Sequence, residues 1–423
     1  MSKDMAVLPL QHVRAVVLTQ AWAGALTTQL LADMGAEVIQ IEALERPDVW
    51  RGGYPPRNGG TYPENYPGER PYNRNANYNA VNRNKLGITL DLTTEEGKGL
   101  FLELVAISDI VAENFATRVM ANFGLEYPDL RRVNPSIIML RMPAFGLQGP
   151  YALYPGNGGT TEPMTGMTSL LGYKDGVPLS SGIMHTDAIG GEMGFAALLI
   201  ALHHRHLTGK GQIIELSQQE SAVSFIGDRV VEYTMTGQVP QRQANRDHRM
   251  APHGNYRCQG EESWVAIAVR SDAEWQRLSA LMDRPELADD ARFRRAQDRL
   301  ENVDTVDRLV EDWTKERAAY SVMELLQGQG IPCAPVLKAL EVLESPQLEA
   351  RGFFETVHHT EAGTHQMAGM PWRLSRTPGR IRLPAPSLGE HSSRVLSEHL
   401  GLQEAELADL VQRGITGQDP PID

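Results

Sequence analysis

The stretch AVVLTQAWAGALTTQLLADMGAEVIQIE, Ala15 to Glu42, changes period twice, and those changes decide the fold. The apolar run Ala15–Leu18 breaks at Thr19–Gly24. Leu26, Leu30, Leu31 and Met34 then recur at helical spacing until Gly35 stops them, and Glu37–Glu42 (EVIQIE) alternates as a strand. Strand, loop, helix, strand is a right-handed βαβ unit, which implies a parallel sheet with helices on both faces. Downstream the rhythm continues. Gly87–Leu92 (GITLDL) reads as a strand, Thr93 and Glu96 as a capping box for a helix to about Ile107, and Asp109–Ala112 (DIVA) as the next strand. A short helix then leads to the strand Ile137–Arg141 (IIMLR). Open parallel sheets bind ligands beyond the carboxyl ends of their strands, so Thr19–Gly24, Asn114, Phe115 and Phe145 are expected on one rim.

Between Trp50 and Lys85 no period survives, only a Gly-, Pro-, Asn-, Tyr- and Arg-rich segment, and a loop of that length within a compact domain is usually functional. Glu192–His206 reads as a helix stopped by Thr208-Gly209-Lys210-Gly211. A second pattern opens near Trp264 with the strand WVAIAV, continues as charged amphipathic helices to Gly330, and ends in a linker, Ile331–Val336. After Gly369 the chain reads as loops with one helix near Glu404–Leu410.

Length and composition bound the class. A chain of 423 residues with 41% hydrophobic content supports two domains. The net charge of −13 is spread along the chain, which speaks against a nucleic-acid surface and requires any polyanionic ligand to find a local basic pocket. The longest apolar stretch, Phe195–Leu202, is far short of a membrane span of about 20 residues, and MSKDMAVLPL lacks a signal-peptide core, so a cytoplasmic protein with no membrane partner is expected. Cys258 and Cys333 read as buried small apolar side chains in a reducing compartment. His203, His204 and His206 complement a helix C-terminus and have no ligand partner at zinc-like spacing, so no metal is expected.

The turn after the first strand, Thr19-Gln20-Ala21-Trp22-Ala23-Gly24, has one glycine where a dinucleotide fingerprint needs three, which argues against NAD. Asp187, in SGIMHTDAIGG just before the helix placed near Glu192, admits two readings. As an N-cap or first-turn carboxylate it is stabilised by exposed backbone N–H groups. That is the simpler reading of the local sequence, but the same environment keeps it ionised and flanking glycines admit a substrate, so it could serve as a covalent nucleophile.

Four segments, AWAGALTTQLLADMGAEVIQIE, NRNKLGITLDLTTEEGKGLFLELVAISDIVAENF, NPSIIMLRMPAFGLQGPY and HTDAIGGEMGFAALLIALHHRHLTGKGQIIELS, resemble in order and spacing the family III CoA-transferases, the group that includes formyl-CoA transferase and carnitine CoA-transferase. The resemblance implies an α/β fold. It consists of a discontinuous Rossmann-like parallel-sheet large domain over 1–225 and 335–423, a linker over 226–249 and a smaller α/β domain over 250–334. It further implies an interlocked, ring-like dimer, either a homodimer or a heteromer with a paralogous subunit. Its nucleophile aligns with Asp187. Ala21, Asn84, Lys85, Asn114 and Phe115 fall where relatives line the coenzyme A site, with Arg83 as an added phosphate contact, and Trp22 and Phe145 face the acyl group. Gly190, Gly191 and Gly254 are implied oxyanion donors. Coenzyme A is then a cosubstrate carried as acyl-CoA, with no tightly bound cofactor, and CoA passes to a carboxylic acid through an aspartyl thioester and mixed anhydrides.

Departures from the pattern qualify it. Gly254 stands alone where formyl-CoA transferase has a run of glycines. Trp22 replaces a glutamine, which favours larger, partly apolar acids over a tiny dicarboxylate. Asn157 stands where the racemase branch keeps a histidine, disfavouring epimerase chemistry, although His185 is close in sequence. The Arg46–Lys85 insert is similar to benzylsuccinate CoA-transferase-like relatives. Two alternatives stay open: an acyl-CoA epimerase or isomerase, and a non-catalytic CoA-binding subunit.

Overall fold

The computed structural model describes residues 8–52 and 61–421. The chain divides into two compact units, the first over Met1–Thr168, Ser180–Gln238 and Ala350–Asp423, the second over Ser169–Leu179 and Val239–Glu349.

The first unit is built on six parallel strands, β1 (Arg14–Leu18), β2 (Glu37–Glu42), β3 (Lys85–Thr89), β4 (Ile110–Glu113), β5 (Ile138–Arg141) and β6 (Ile213–Glu215), in the order β3-β2-β1-β4-β5-β6. The βαβ opening is present, with helix α1 (Ala23–Asp33) between β1 and β2. Period-two alternation divides β1 between two cores. Val16 and Leu18 face a cluster with Phe101 and Leu104 of α2 (Glu95–Ala106) and with Val395 and Leu410 of the C-terminal segment. Ala15 and Val17 face Leu31 of α1 and Leu198 of α3 (His185–Thr208). Strand order reverses between β1 and β4, so the loops leaving their carboxyl ends flank a crevice at the switch point, where such sheets bind ligands.

Several boundaries differ from the sequence reading. Strand β3 begins at Lys85, which pairs with Val38. The cap of α2 is Thr94, whose hydroxyl accepts the Gly97 N–H at 3.0 Å, while the Thr93 hydroxyl donates to Asp91 at 2.7 Å. Two C-terminal helices form, Ser392–Leu400 and Glu404–Gln412, where one was expected.

The largest difference is α3, which starts at His185 and not near Glu192. Gly190 and Gly191 are expected ahead of the helix, yet both lie within it, and its seam is lined by Gly191 and Gly194: a Cβ on Gly191 would lie 3.0 Å from the Ala23 carbonyl oxygen and one on Gly194 2.7 Å from Thr27 Oγ1. They mark the close approach of α3 to α1, tied by Thr27 Oγ1 donating to the Gly191 carbonyl at 2.8 Å. Packing at that seam overrides a helix-propensity cost of about 1 kcal/mol per glycine.

The second unit carries a three-stranded antiparallel sheet, β7 (His253–Arg257), β8 (Trp264–Ala268) and β9 (Cys333–Pro335), over a core of Trp275, Phe293, Val306 and Val310. Cys333–Pro335, read as linker, is therefore a strand. Cys258 and Cys333 are buried and unbridged.

Candidate active site

Asp187 is the third residue of α3, inside its first turn, where backbone N–H groups lack helical partners and the helix end favours an anion. Residue Met184 precedes the helix with φ 51°, and the Asp187 N–H bonds back to the Met184 carbonyl at 3.0 Å. The N-terminus of α1 lies near the same carboxylate, close enough for the N–H of Ala23, its first residue, to favour the ionised form of Asp187. Two helix N-termini thus converge on one side chain. Their donors pull its pKa down, but burial dominates and pushes it up to about 6.

Asp187 Oδ2 is buried and has no hydrogen-bond partner among the described residues. The backbone of Gly158 lies directly against it, so close that a Cβ there would sit 1.9 Å from Oδ2 and 2.6 Å from Met184 Cβ. Gly158 opens a short helix, Gly158–Thr161, whose N-cap is Asn157, with its side chain accepting from the Thr160 N–H at 3.2 Å. Beside it, Glu162 is buried. Burial would raise its pKa, but Ser181 donates its N–H (2.9 Å) and hydroxyl (2.6 Å) and His185 its N–H (3.1 Å), and the net effect holds it below the usual range. Glu162 thereby fastens the segment leading into α3.

The turn after β1 forms the other wall. Ala21 has a positive φ of 56°, unusual for a residue with a Cβ, and its N–H donates to Asp48 Oδ1 at 2.9 Å. Trp22 is the N-cap of α1 and half-buried, with its ring centroid 5.8 Å from that of Trp50. Asn114 follows β4 and clamps this turn reciprocally, accepting the Gln20 N–H and donating to the Gln20 carbonyl, both at 2.8 Å. Phe115 is set by its N–H to Glu113 (2.7 Å), itself paired with Arg141 (2.6 Å).

Other residues expected at the site have different surroundings. Gly190 and Gly191 are not a turn: they lie within α3, where their N–H groups belong to the helical ladder. Gly254 is in β7 of the second unit. Phe145 is half-buried, edge-on to Tyr151 at 6.3 Å, with its ring near Gly156.

Arg83, Asn84 and Lys85 are all buried and spend their polar atoms internally. Arg83 pairs with Asp33 at 2.8 Å and bonds the Ala368 carbonyl. Asn84, with φ 63°, donates to Asp33 (2.6 Å) and the Arg380 carbonyl (3.0 Å). Lys85 donates to the Ala25 carbonyl (3.0 Å) and Asn82 Oδ1 (2.7 Å), and burial lowers its pKa to about 7. A cavity of about 440 Å³ lined by Arg83, Tyr62 and His365 contains neither Asp187 nor Trp22. Sequence reasoning missed Gly158, Asp48 and Glu162. For Gly158 the one available signal was its place beside Asn157 in the PGNG segment.

Comparison with known proteins gives the family. The model of the CoA-transferase family III matches residues 10–392. The chain is 34% identical over 410 residues to a succinyl-CoA:D-citramalate CoA-transferase of Chloroflexus aurantiacus, spanning 97% of this chain and 98% of that relative. It is 29% identical to a formyl-CoA:oxalate CoA-transferase of Streptomyces coelicolor, spanning 97% and 100%. Among solved structures, a CaiB/BaiF family protein from Brucella suis superposes with a TM-score of 0.83 at 30% identity, over 92% of this chain and 99% of the other. Among the described residues no helix is long and apolar enough to cross a membrane, and no cluster of His, Cys, Asp or Glu could hold a metal ion. A parallel sheet with its switch-point crevice, a buried carboxylate oxygen without a partner among the described residues near two helix starts, and matches spanning nearly the whole chain lead to one assignment: this chain belongs to the family III CoA-transferases.

Proposed function

We propose that the chain moves CoA from an acyl-CoA donor to a carboxylic acid through covalent intermediates on Asp187. The observation that carries this reading is Asp187 Oδ2, a buried carboxylate oxygen without a hydrogen-bond partner among the described residues, with the Cβ-free backbone of Gly158 directly against it. A carboxylate with a pKa near 6 is ionised at neutral pH, and it is more basic and less hydrated than an ordinary aspartate.

In the first step Asp187 attacks the donor thioester carbonyl and expels CoA thiolate, giving a mixed anhydride. The thiolate then attacks the aspartyl carbonyl, the donor acid leaves as its carboxylate, and CoA is held as an aspartyl thioester. The acceptor carboxylate attacks that thioester and expels the thiolate again. Attack of the thiolate on the acceptor carbonyl releases the new acyl-CoA and restores Asp187. Thioester energy is kept because water is excluded from a buried centre. The converging N–H groups at the starts of α1 and α3 are suited to charge developing on the aspartyl oxygens.

The coenzyme A contacts at Ala21, Asn114 and Phe115 lie on loops at the switch-point rim, which supports them as lining residues. Trp22 and Trp50 add aromatic surface beside the nucleophile, which supports an acceptor with apolar bulk. The named relatives act on hydroxy and dicarboxylic acids such as D-citramalate, and we infer an acid of that general class, with the chain working as an interlocked dimer. An epimerase reading has less support, because Asn157 spends its side chain capping the helix beside Asp187.

Oxygen labelling tests the proposal. An acceptor acid carrying ¹⁸O in its carboxylate should pass label into Asp187 and, on the next turnover, into the released donor acid. Transfer of CoA with no label in the donor acid would overturn it.

A further inference from the structure

We infer that Asp48 is a positioning residue for the nucleophile, acting through the turn that carries Ala21, Trp22 and Ala23; this inference rests on the reading of Asp187 given above. Asp48 is only 1% exposed, and its Oδ1 accepts two backbone N–H groups, from Ala21 and from Trp50, each at 2.9 Å. The first bond holds Ala21 at its positive φ, a conformation costing on the order of 1 kcal/mol or more for a residue with a side chain. Two residues later Ala23 packs against α3, where a Cβ on Gly191 would lie 3.0 Å from the Ala23 carbonyl oxygen, and its N–H is near enough to the Asp187 carboxylate to favour the ionised form. The second bond holds Trp50, whose ring stands against that of Trp22. One carboxylate oxygen therefore fixes both the donor aimed at the nucleophile and the tryptophan pair beside it.

Asp48 is itself anchored from behind. Its N–H donates to Glu42 Oε1 at 2.9 Å, and Glu42 is gripped by Arg51 through Nε (2.8 Å) and Nη2 (2.7 Å), with Tyr78 donating at 3.2 Å. All these groups are buried at the carboxyl end of β2, where Glu42 is the last residue. Burial, then the nearby Glu42 charge, pushes the Asp48 pKa up to about 7. Arg51 favours its ionised form, and Tyr78 and Lys85 also lie within electrostatic reach. Its Oδ2 is buried without a partner among the described residues, so only Oδ1 organises the turn. Burying such a carboxylate is unfavourable, and among the described residues Asp48 is the acceptor of the Ala21 N–H.

The test compares Asp48→Ala with Asp48→Asn, which keeps the acceptor oxygen. Asp48→Ala should lower kcat at least about tenfold, with KM for acyl-CoA changed less than about threefold, because a misaimed donor affects reacting geometry more than binding. It should also move the acid limb of the kcat/KM profile to higher pH, since Asp187 loses the Ala23 donor, and weaken the near-ultraviolet circular dichroism of the coupled tryptophans. Asp48→Asn should recover most of the rate and restore both the limb and the tryptophan signal. An unmoved acid limb in Asp48→Ala, or an Asp48→Asn protein as impaired as the alanine variant, overturns the inference. If Asp48→Ala does not fold, the asparagine variant decides alone, by keeping or losing the wild-type limb and tryptophan signal. Asp187→Asn run in parallel separates the two levels. Transfer surviving there removes the nucleophile reading, whereas a dead Asp187→Asn beside an indifferent Asp48→Ala removes only the role of Asp48.

Discussion

Asp187→Asn should abolish transfer and at the same time change how stability depends on pH. The folded pKa of Asp187 is raised from 3.8 to about 6, chiefly by burial. For an acid whose pKa rises on folding, the native state binds the proton more tightly. The wild type therefore loses stability as pH climbs from about 4 to about 6, and the loss levels off above. A shift of about two units corresponds to roughly 3 kcal/mol in total, of which about 1.4 kcal/mol accrues between pH 5 and pH 8.

Asparagine has no such titration. Its buried amide N–H groups face the space at Oδ2, where no acceptor is present among the described residues, and leaving them unpaired costs about 1–3 kcal/mol at every pH. Because that cost is constant, the diagnostic is the difference between the two proteins at two pH values. Urea unfolding at pH 5 and pH 8 should show the asparagine variant gaining about 1.4 kcal/mol on the wild type over that interval, with transfer down by about 1000-fold or more. Parallel pH profiles for the two proteins would refute the buried, raised carboxyl, and activity within about tenfold of the wild type would refute its role.

Gly158→Ala should suppress transfer by about 100-fold or more, because its methyl group would occupy space 1.9 Å from Asp187 Oδ2; wild-type turnover in that variant would mean the nucleophilic oxygen faces elsewhere. Trp22→Gln should lower kcat/KM for bulky acids by about tenfold, from roughly 1–3 kcal/mol of lost apolar burial, while small dicarboxylates lose little. A uniform loss across an acid panel, with a falling thermal midpoint, would instead make Trp22 a packing residue. In the wild type kcat/KM should decline below about pH 6 as Asp187 of the free enzyme protonates, and a profile flat down to pH 5 would contradict the raised pKa.

The sheet was legible in the sequence because its information is local. Period two at Glu37–Glu42 and helical spacing from Leu26 to Met34 each fit only one element type, and the switch-point rim follows from their order. Tertiary contacts explain what was misread. The first turns of α3 look like loop because Gly190 and Gly191 are poor helix formers whose roles are set far away in sequence, Gly190 against Gln218 and Gly191 against α1. Strand β9 looks like linker because Pro332 precedes it and Pro335 is its last residue, and its pairing is set by Val265, Ala266 and Ile267 of β8. At the site, Asp187 alone read more simply as a helix cap than as a nucleophile, and resemblance to a family, not local chemistry, favoured the latter. Gly158, Asp48 and Glu162 carry no local mark. Their partners Asp187, Ala21 and Ser181 lie well away along the chain, and only folding brings each pair together.

The central claim is tested most directly by looking for the covalent intermediate. The wild-type protein is incubated with a panel of acyl-CoA thioesters without acceptor acid, quenched, digested and analysed by mass spectrometry. With a competent donor, the peptide containing Asp187 should carry coenzyme A as a thioester that disappears on adding the acceptor, and Asp187→Asn should give no adduct. Rapid transfer with no adduct on that peptide, or an adduct that persists in Asp187→Asn, would contradict the account.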